Sequence, residues 1–176
     1  MLTVTDITTV PADLTPEARL NALLLKSEVE DFNTAYCAAL DAQRLADWAE
    51  MFTPDGHYII ISRENYDRNL PVGLIYCENR GMIRDRAFAL EKTAMFAPRY
   101  LRHLVGNLQV RETAEGIVAS ANYAVFQVLF DRPDATVHQV GRYEDIFQRT
   151  PDGLKLKKRA CIYDSLLIDN ALCIPV

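Results

Sequence analysis

Three histidines, at 57, 103 and 138, and four cysteines, at 37, 77, 161 and 173, are the residues here with the widest chemical range. A Rieske iron–sulfur centre needs two cysteines and two histidines, and no cysteine lies near a histidine along this chain. H-E-x-x-H is absent, and no two cysteines have zinc spacing. Three scattered histidines are also a poor fit to a mononuclear iron triad, although counting alone does not exclude one. Neither G-x-G-x-x-G nor G-x-x-x-x-G-K-[ST] occurs, and Ser120 and Ser165 sit outside any G-x-S-x-G elbow. General acid–base chemistry is what the residue types leave open. Its candidates are His57 beside Tyr58, His103 near Tyr100, and His138 opposite Asp164 if the last hairpin is in register. The plainer readings are a turn-stabilising His57, a His103 held by an interface or a hydrogen bond, and a His138 on a wetted or partner-covered strand face.

Lys155, Lys157, Lys158 and Arg159 make the only basic cluster. Strict alternation puts 155, 157 and 159 on one face and Lys158 on the other. A solvated strand that resists edge pairing is the first reading, and a salt bridge to an acidic partner the second. The C-terminus is nearly all apolar: Leu166, Leu167, Ile168, then Ala171, Leu172, Cys173, Ile174, Pro175 and Val176. Chain ends in water are usually polar and frayed. Leu172, Ile174 and Val176 are therefore expected to pack against protein, in the chain's own core or in an adjoining subunit.

The elements that position these residues are legible in part. Residues 1–26 read as an arm, with Thr15-Pro16-Glu17 able to start a short helix. Ser27 to Glu30 is an S-x-x-E capping box, and it predicts a helix over about 28–40 and a domain spanning 27–176. Asp41 reads as the cap of a second helix carrying Leu45, Trp48, Met51 and Phe52. Thr53 to Gly56 reads as a stop and turn, followed by a strand over 57–62 and a polar loop over 63–71. A third helix is expected over 79–96, capped by Asn79 and closed by Pro98. Beyond Pro98 the period becomes two, with strands over 103–111, 116–130, 136–149 and 154–168. The short connectors 131–134 and 150–153 imply an antiparallel meander. Helices first and sheet second make an α+β domain.

Composition narrows the setting. Twenty-four acidic against 19 basic residues leave a formal charge of -5, and the bases form no stripe for nucleic acid. No apolar run approaches a membrane span, and the N-terminus does not read as a secretory signal. Unpatterned cysteines suit a reducing compartment, so a cytoplasmic protein is expected.

Four segments carry a resemblance. They are L-x-D-W-x-x-M-F-T-x-D-x-x-Y (Leu45 to Tyr58), G-L-I-Y-C-E-N-R-G-M-I-R-D-R (Gly73 to Arg86), R-Y-x-R-H-L-V-G-N (Arg99 to Asn107) and G-R-Y-x-D-x-F (Gly141 to Phe147). Together they resemble the small, or beta, subunit of Rieske-type ring-hydroxylating oxygenases, nearest to those of salicylate 5-hydroxylase and terephthalate dioxygenase. The resemblance implies an NTF2-like cone, with N-terminal helices packed against a strongly curved, mainly antiparallel sheet. It implies a structural subunit in an alpha3beta3 hexamer with a large, alpha subunit that holds the Rieske [2Fe-2S] cluster and mononuclear Fe(II). Electrons would come from NAD(P)H through a flavin reductase and a ferredoxin. No catalytic, cofactor or metal residue is expected here. Arg84, Asp85 and Arg86, which match the R-D-R element, are expected to form ion pairs that order the third helix or meet a neighbour; Arg102 and His103 are expected in an interface or structural role. A stand-alone NTF2-like dehydratase or isomerase, or a small-ligand-binding module, is the competing reading.

Overall fold

The computed structural model describes residues 14–93, 96–114, 116–165 and 174–176. Helix α1 runs without a break over Pro16–Asp41, capped by Thr15, whose Oγ1 accepts from the Ala18 N–H at 3.2 Å. The expected start at residue 28 is thus corrected: the Ser27 box lies inside α1, where backbone N–H groups are already paired and no cap is needed. Val29, Asn33, Tyr36 and Leu40 recur at helical spacing and form its buried face.

A five-residue helix, α2 (Leu45–Ala49), follows, with Arg44 and not Asp41 at its N-cap. Strand β1 is Phe52–Ser62. The expected turn at Thr53 to Gly56 is instead an irregularity within this strand, where pairing with its neighbour shifts register between Phe52 and His57. Gly56 is needed there, because a Cβ would stand 2.9 Å from the Phe52 Cβ and 3.0 Å from the Leu156 oxygen. The polar stretch after β1 contains a short helix, α3 (Arg63–Asp67), and then β2 (Ile75–Cys77). Helix α4 is Arg80–Lys92, capped as expected by Asn79, whose Oδ1 accepts from Met82 N–H at 3.0 Å.

Four long strands complete the chain: β3 (Arg99–Thr113), β4 (Gly116–Leu129), β5 (Ala135–Thr150) and β6 (Gly153–Tyr163). They form the expected antiparallel meander. β1 then joins β6 in parallel and β2 joins β1 antiparallel, giving the order β2-β1-β6-β5-β4-β3. Register shifts in β3–β4, β4–β5, β5–β6 and β1–β6 each add local bend and twist.

The concave face of the sheet closes over α1, α2 and α4. Trp48, Phe52 and Tyr58 meet there edge to face, with ring centroids 5.2–5.8 Å apart. A smaller apolar cluster of Ile61, Ala160 and Ile162 lies on the other face of the sheet, packed by Ile59 and by Tyr66 of α3.

Candidate functional site

The interior of the cone holds an ion pair that alternation along β6 does not predict. Leu156 pairs with Phe147 but Lys158 pairs with Ile146, so Lys157 is an extra residue in β6. That bulge reverses the alternation, and Arg159 turns inward with 0% exposure, away from the solvated set to which its neighbours assign it. Its Nε donates to Asp145 Oδ1 at 2.9 Å, and Nη2 donates to Asp145 Oδ2 and Asn33 Oδ1, both at 2.7 Å. The guanidinium also lies over two rings, 4.1 Å from the Tyr36 centroid and 4.2 Å from that of Tyr143. Tyr143 stacks in turn on Tyr123, whose hydroxyl donates to Gln139 Oε1 at 2.7 Å. One signal was available in the sequence. Asp145 shares an inward phase with Tyr143 and Phe147, and a buried carboxylate needs a cation opposite it.

Residues 174–176 enter the same interior. Ile174 and Val176 are buried. The main-chain oxygen of Val176 accepts from Tyr58 Oη at 2.9 Å, Tyr36 Oη at 3.0 Å and the Cys161 thiol at 3.4 Å. The Val176 N–H donates to Tyr58 Oη at 3.0 Å. Leu172 lies outside the described residues.

Burial sets the protonation of the groups in this interior. Burial pushes the Cys37 thiol up to about 11 and lifts that of Cys161 further. Burial likewise holds the Tyr36, Tyr58, Tyr123 and Tyr143 phenols above their ordinary range. Burial also raises the Asp145 carboxyl, against the pull of Arg159. It opposes the Arg159 charge too, but the Asp145 carboxylate more than compensates and holds the guanidinium charged. Thiols and phenols with raised values stay protonated at neutral pH and serve as neither base nor nucleophile.

The same shifts set an alkaline limit on stability. A group with a raised folded value contributes stability below its unfolded value, about 8.5 for a thiol and about 10 for a phenol. That contribution is lost as pH rises toward the folded value, at up to about 1.4 kcal/mol per pH unit for each group. Urea denaturation should therefore give a fall in stability beginning near the unfolded thiol value and steepening once unfolded phenols ionise. Cys37→Ser should flatten the first part of that fall. A constant stability through the phenol range would contradict the buried placement of these groups.

The histidines named from sequence do not meet. His103 on β3 has its Nδ1 2.6 Å from Asp41 Oδ1, and its backbone N–H donates to the same oxygen at 3.1 Å. Asp41 thus ties the end of α1 to β3, instead of capping α2. Arg102 adds an exposed ion pair to Asp41 at 3.3 Å. The His103 Nε2 is enclosed by protein and has no hydrogen-bond partner, so the His–Asp pair has no open nitrogen for a substrate proton. His138 is not opposite Asp164, whose N–H donates to the Val140 oxygen and whose carboxylate accepts from Arg63 at 3.2 Å. The register is two residues from the one that pairing would need. His57 is exposed, next to Lys158 on the outer face of the sheet.

On α4, Arg84 grips Glu50 of the α2–β1 junction with two bonds, at 2.6 and 2.8 Å, and Arg80 approaches the same carboxylate at 3.6 Å. The arginine hydrogen bond draws Glu50 below the usual carboxylate range. Asp85 is exposed and Arg86 half-buried. Among the described residues, no three His, Cys, Asp or Glu side chains come together as a metal site. This donor set does not fit a Rieske cluster or a mononuclear iron.

The centre of the cone is thus occupied by the chain's own tyrosines, the Arg159–Asp145 pair and residues 174–176. The family model for the ring hydroxylating beta subunit matches residues 36–170, and the chain belongs to that family. It is 36% identical over 150 residues to the anthranilate 1,2-dioxygenase small subunit of Burkholderia cepacia, covering 85% of this chain and 92% of that one. It is 26% identical to subunit beta 2 of the terephthalate 1,2-dioxygenase terminal oxygenase component of Comamonas sp, covering 85% and 97%. Among solved structures, the beta subunit assigned to an aromatic-ring-hydroxylating dioxygenase of Novosphingobium aromaticivorans superposes with a TM-score of 0.80 at 36% identity, covering 89% of this chain and 99% of that one. The fold is the NTF2-like cone that the resemblance implied. No helix among the described residues is long and apolar enough to cross a membrane.

Proposed function

We propose that this chain is the non-catalytic small subunit of a multicomponent Rieske oxygenase that hydroxylates an aromatic carboxylate, and that it stabilises the large catalytic subunit in an alpha3beta3 hexamer. The observation that carries this reading is the occupied centre of the cone, where the Val176 main-chain oxygen is held by Tyr36, Tyr58 and Cys161. A stand-alone dehydratase or isomerase would need a base facing open space there, whereas the thiols and phenols present are protonated and the Asp145 carboxylate is tied up by Arg159. The named activities of the anthranilate and terephthalate relatives support the substrate class. Exposed apolar side chains support a partner. Leu20, Leu23 and Leu24 line α1 before its buried half, while Tyr100, Leu104, Phe130 and Val137 lie exposed on β3–β5 and the β4–β5 turn. Iron, cluster, ferredoxin and NAD(P)H-linked flavin belong to the other components, and the complex works in the cytoplasm.

The test is co-expression with a large subunit carrying the cluster and iron ligands, followed by native mass measurement and iron analysis. Six-chain particles with all iron in the large subunit are expected, and the small chain alone should hydroxylate nothing. Iron retained by this chain, and lost on changing His57, His103 or His138, would overturn the reading. Arg84→Glu breaks an exposed pair, so the isolated chain should melt as before. If Arg84 meets a neighbour, the variant hexamer dissociates more readily while its turnover ratio between two aromatic acids stays constant. A changed ratio in an intact hexamer would place Arg84 on the substrate path instead.

A further inference from the structure

The outer face of the sheet carries a cavity, on the opposite side from Arg159 and Asp145. Helix α3 and the segment 68–74 cross this face as a strap. The strap is pinned along its length. Asn65 Nδ2 donates to the Val72 oxygen at 2.8 Å, and Leu74 N–H donates to the Ile60 oxygen at 2.7 Å. The Tyr66 hydroxyl donates to Glu144. Gly73 lies so close to β1 that a Cβ would stand 2.7 Å from the Ile60 oxygen.

Beneath the strap is a cavity of 570 Å³. Ile59, Ile61 and Ala160 are among its apolar lining residues, and the rings of Tyr66 and Tyr76 contribute further walls. Lys158, beside His57 across β1 and β6, gives it one cationic margin. Lys158 owes its outward position to the bulge that turns Arg159 inward. It has no ion-pair partner among the described residues. Asp55 and Glu78 line an adjoining hollow of 540 Å³ beyond it, without coming within ion-pair distance of its ammonium.

Walls hydrogen-bonded to the frame keep this space from collapsing, and its volume is that of a small-molecule site. Apolar walls with one unpaired cation at the edge suit a flat apolar body bearing a single anion. We propose that this cavity binds an aromatic monocarboxylate, its ring against Ile59 and the two tyrosines and its carboxylate on the Lys158 ammonium. The choice of an aromatic body rests on the proposed function, whereas the anion at Lys158 follows from the cavity alone.

The experiment is calorimetric titration of the full chain with benzoate and with benzamide, its uncharged counterpart, with backbone amide shifts followed by NMR. One benzoate per chain is expected, bound at least tenfold more tightly than benzamide, with the Ile59, Ile61 and Tyr76 amides moving most. Lys158→Gln should reduce benzoate affinity tenfold or more and leave benzamide unchanged, as expected for loss of a charge-assisted bond. Ile59→Trp should fill the cavity and abolish both; if that variant melts early, the wild-type amide shifts decide the location. Absence of saturable benzoate binding, equal affinity for the two probes, or shifts confined to other faces would overturn the proposal. None of these readouts depends on a large subunit, so failure here is distinct from failure of the scaffold reading.

Discussion

Asp145→Ala should lower the stability of the chain by about 3–5 kcal/mol, which for a chain of this size corresponds to a fall in melting temperature of about 6–20 °C. The cost comes from what remains. Arg159 would stay buried and charged, because a guanidinium does not give up its proton, with only Asn33 and the faces of Tyr36 and Tyr143 to solvate it. The reciprocal change should be milder. In Arg159→Met the orphaned carboxyl, which burial already raises, can take up a proton and become neutral. That asymmetry has a pH signature. The Met variant should be most stable at acidic pH and lose stability as pH rises and its unfolded-state Asp145 ionises, whereas the Ala variant should not recover on acidification. The double replacement Asp145→Leu with Arg159→Met removes both charges and should melt nearer the parent than Asp145→Ala. Thermal melts of the four proteins from pH 5 to 8 check this. Equal losses in both single variants, with no pH dependence, would mean that the pair is solvated and not buried.

The ion pair also marks what a local sequence pattern does not encode. Turns, caps and most strands announce themselves locally. Thr15 before Pro16 and Asn79 before α4 cap as their residue types suggest, and the connectors at 131–134 and 150–153 bring β4, β5 and β6 together as hairpins. What a local pattern cannot carry is a choice made by a distant partner. The S-x-x-E at Ser27 has the composition of a helix start, but α1 had already begun, and composition does not say whether an N–H is free. Thr53 to Gly56 has the composition of a turn, yet β6 pairs on both sides of it and turns it into a bulge. Lys157 is the sharpest case. One extra residue in β6 sends Arg159 inward and Lys158 outward, so two neighbouring basic residues serve opposite faces of the sheet. His138 would face Asp164 only in a register that the hairpin does not have. The absence of metal-ligand patterns, by contrast, needed no register to be read.

Deleting residues 174–176 should destabilise the fold strongly, because it empties the centre of the cone. Burying Ile174 and Val176 contributes about 1.5–3 kcal/mol for each side chain. The Tyr36 and Tyr58 hydroxyls would also lose their shared acceptor, and each buried hydroxyl left unpaired costs about 1–3 kcal/mol unless water enters to replace it. Against a typical total of about 5–15 kcal/mol, that is a large fraction of the stability of the domain. Smaller changes separate the contributions. Val176→Ala trims apolar packing and keeps the main-chain oxygen, whereas Tyr58→Phe keeps the packing and removes both of its bonds to Val176, at about 1–3 kcal/mol because the buried Val176 N–H loses its acceptor. The sole tryptophan, Trp48, packs 5.2 Å from the Tyr58 ring and reports on the same space. Its emission should shift to longer wavelength in the deletion, because water gains access to the indole, and hardly at all in Tyr58→Phe. Denaturant titration followed at Trp48 measures both quantities in one experiment. If the shortened chain unfolds at the parent's midpoint with unchanged emission, residues 174–176 are not what closes the cone. The interior would then be open enough for the chemistry that the scaffold reading denies it.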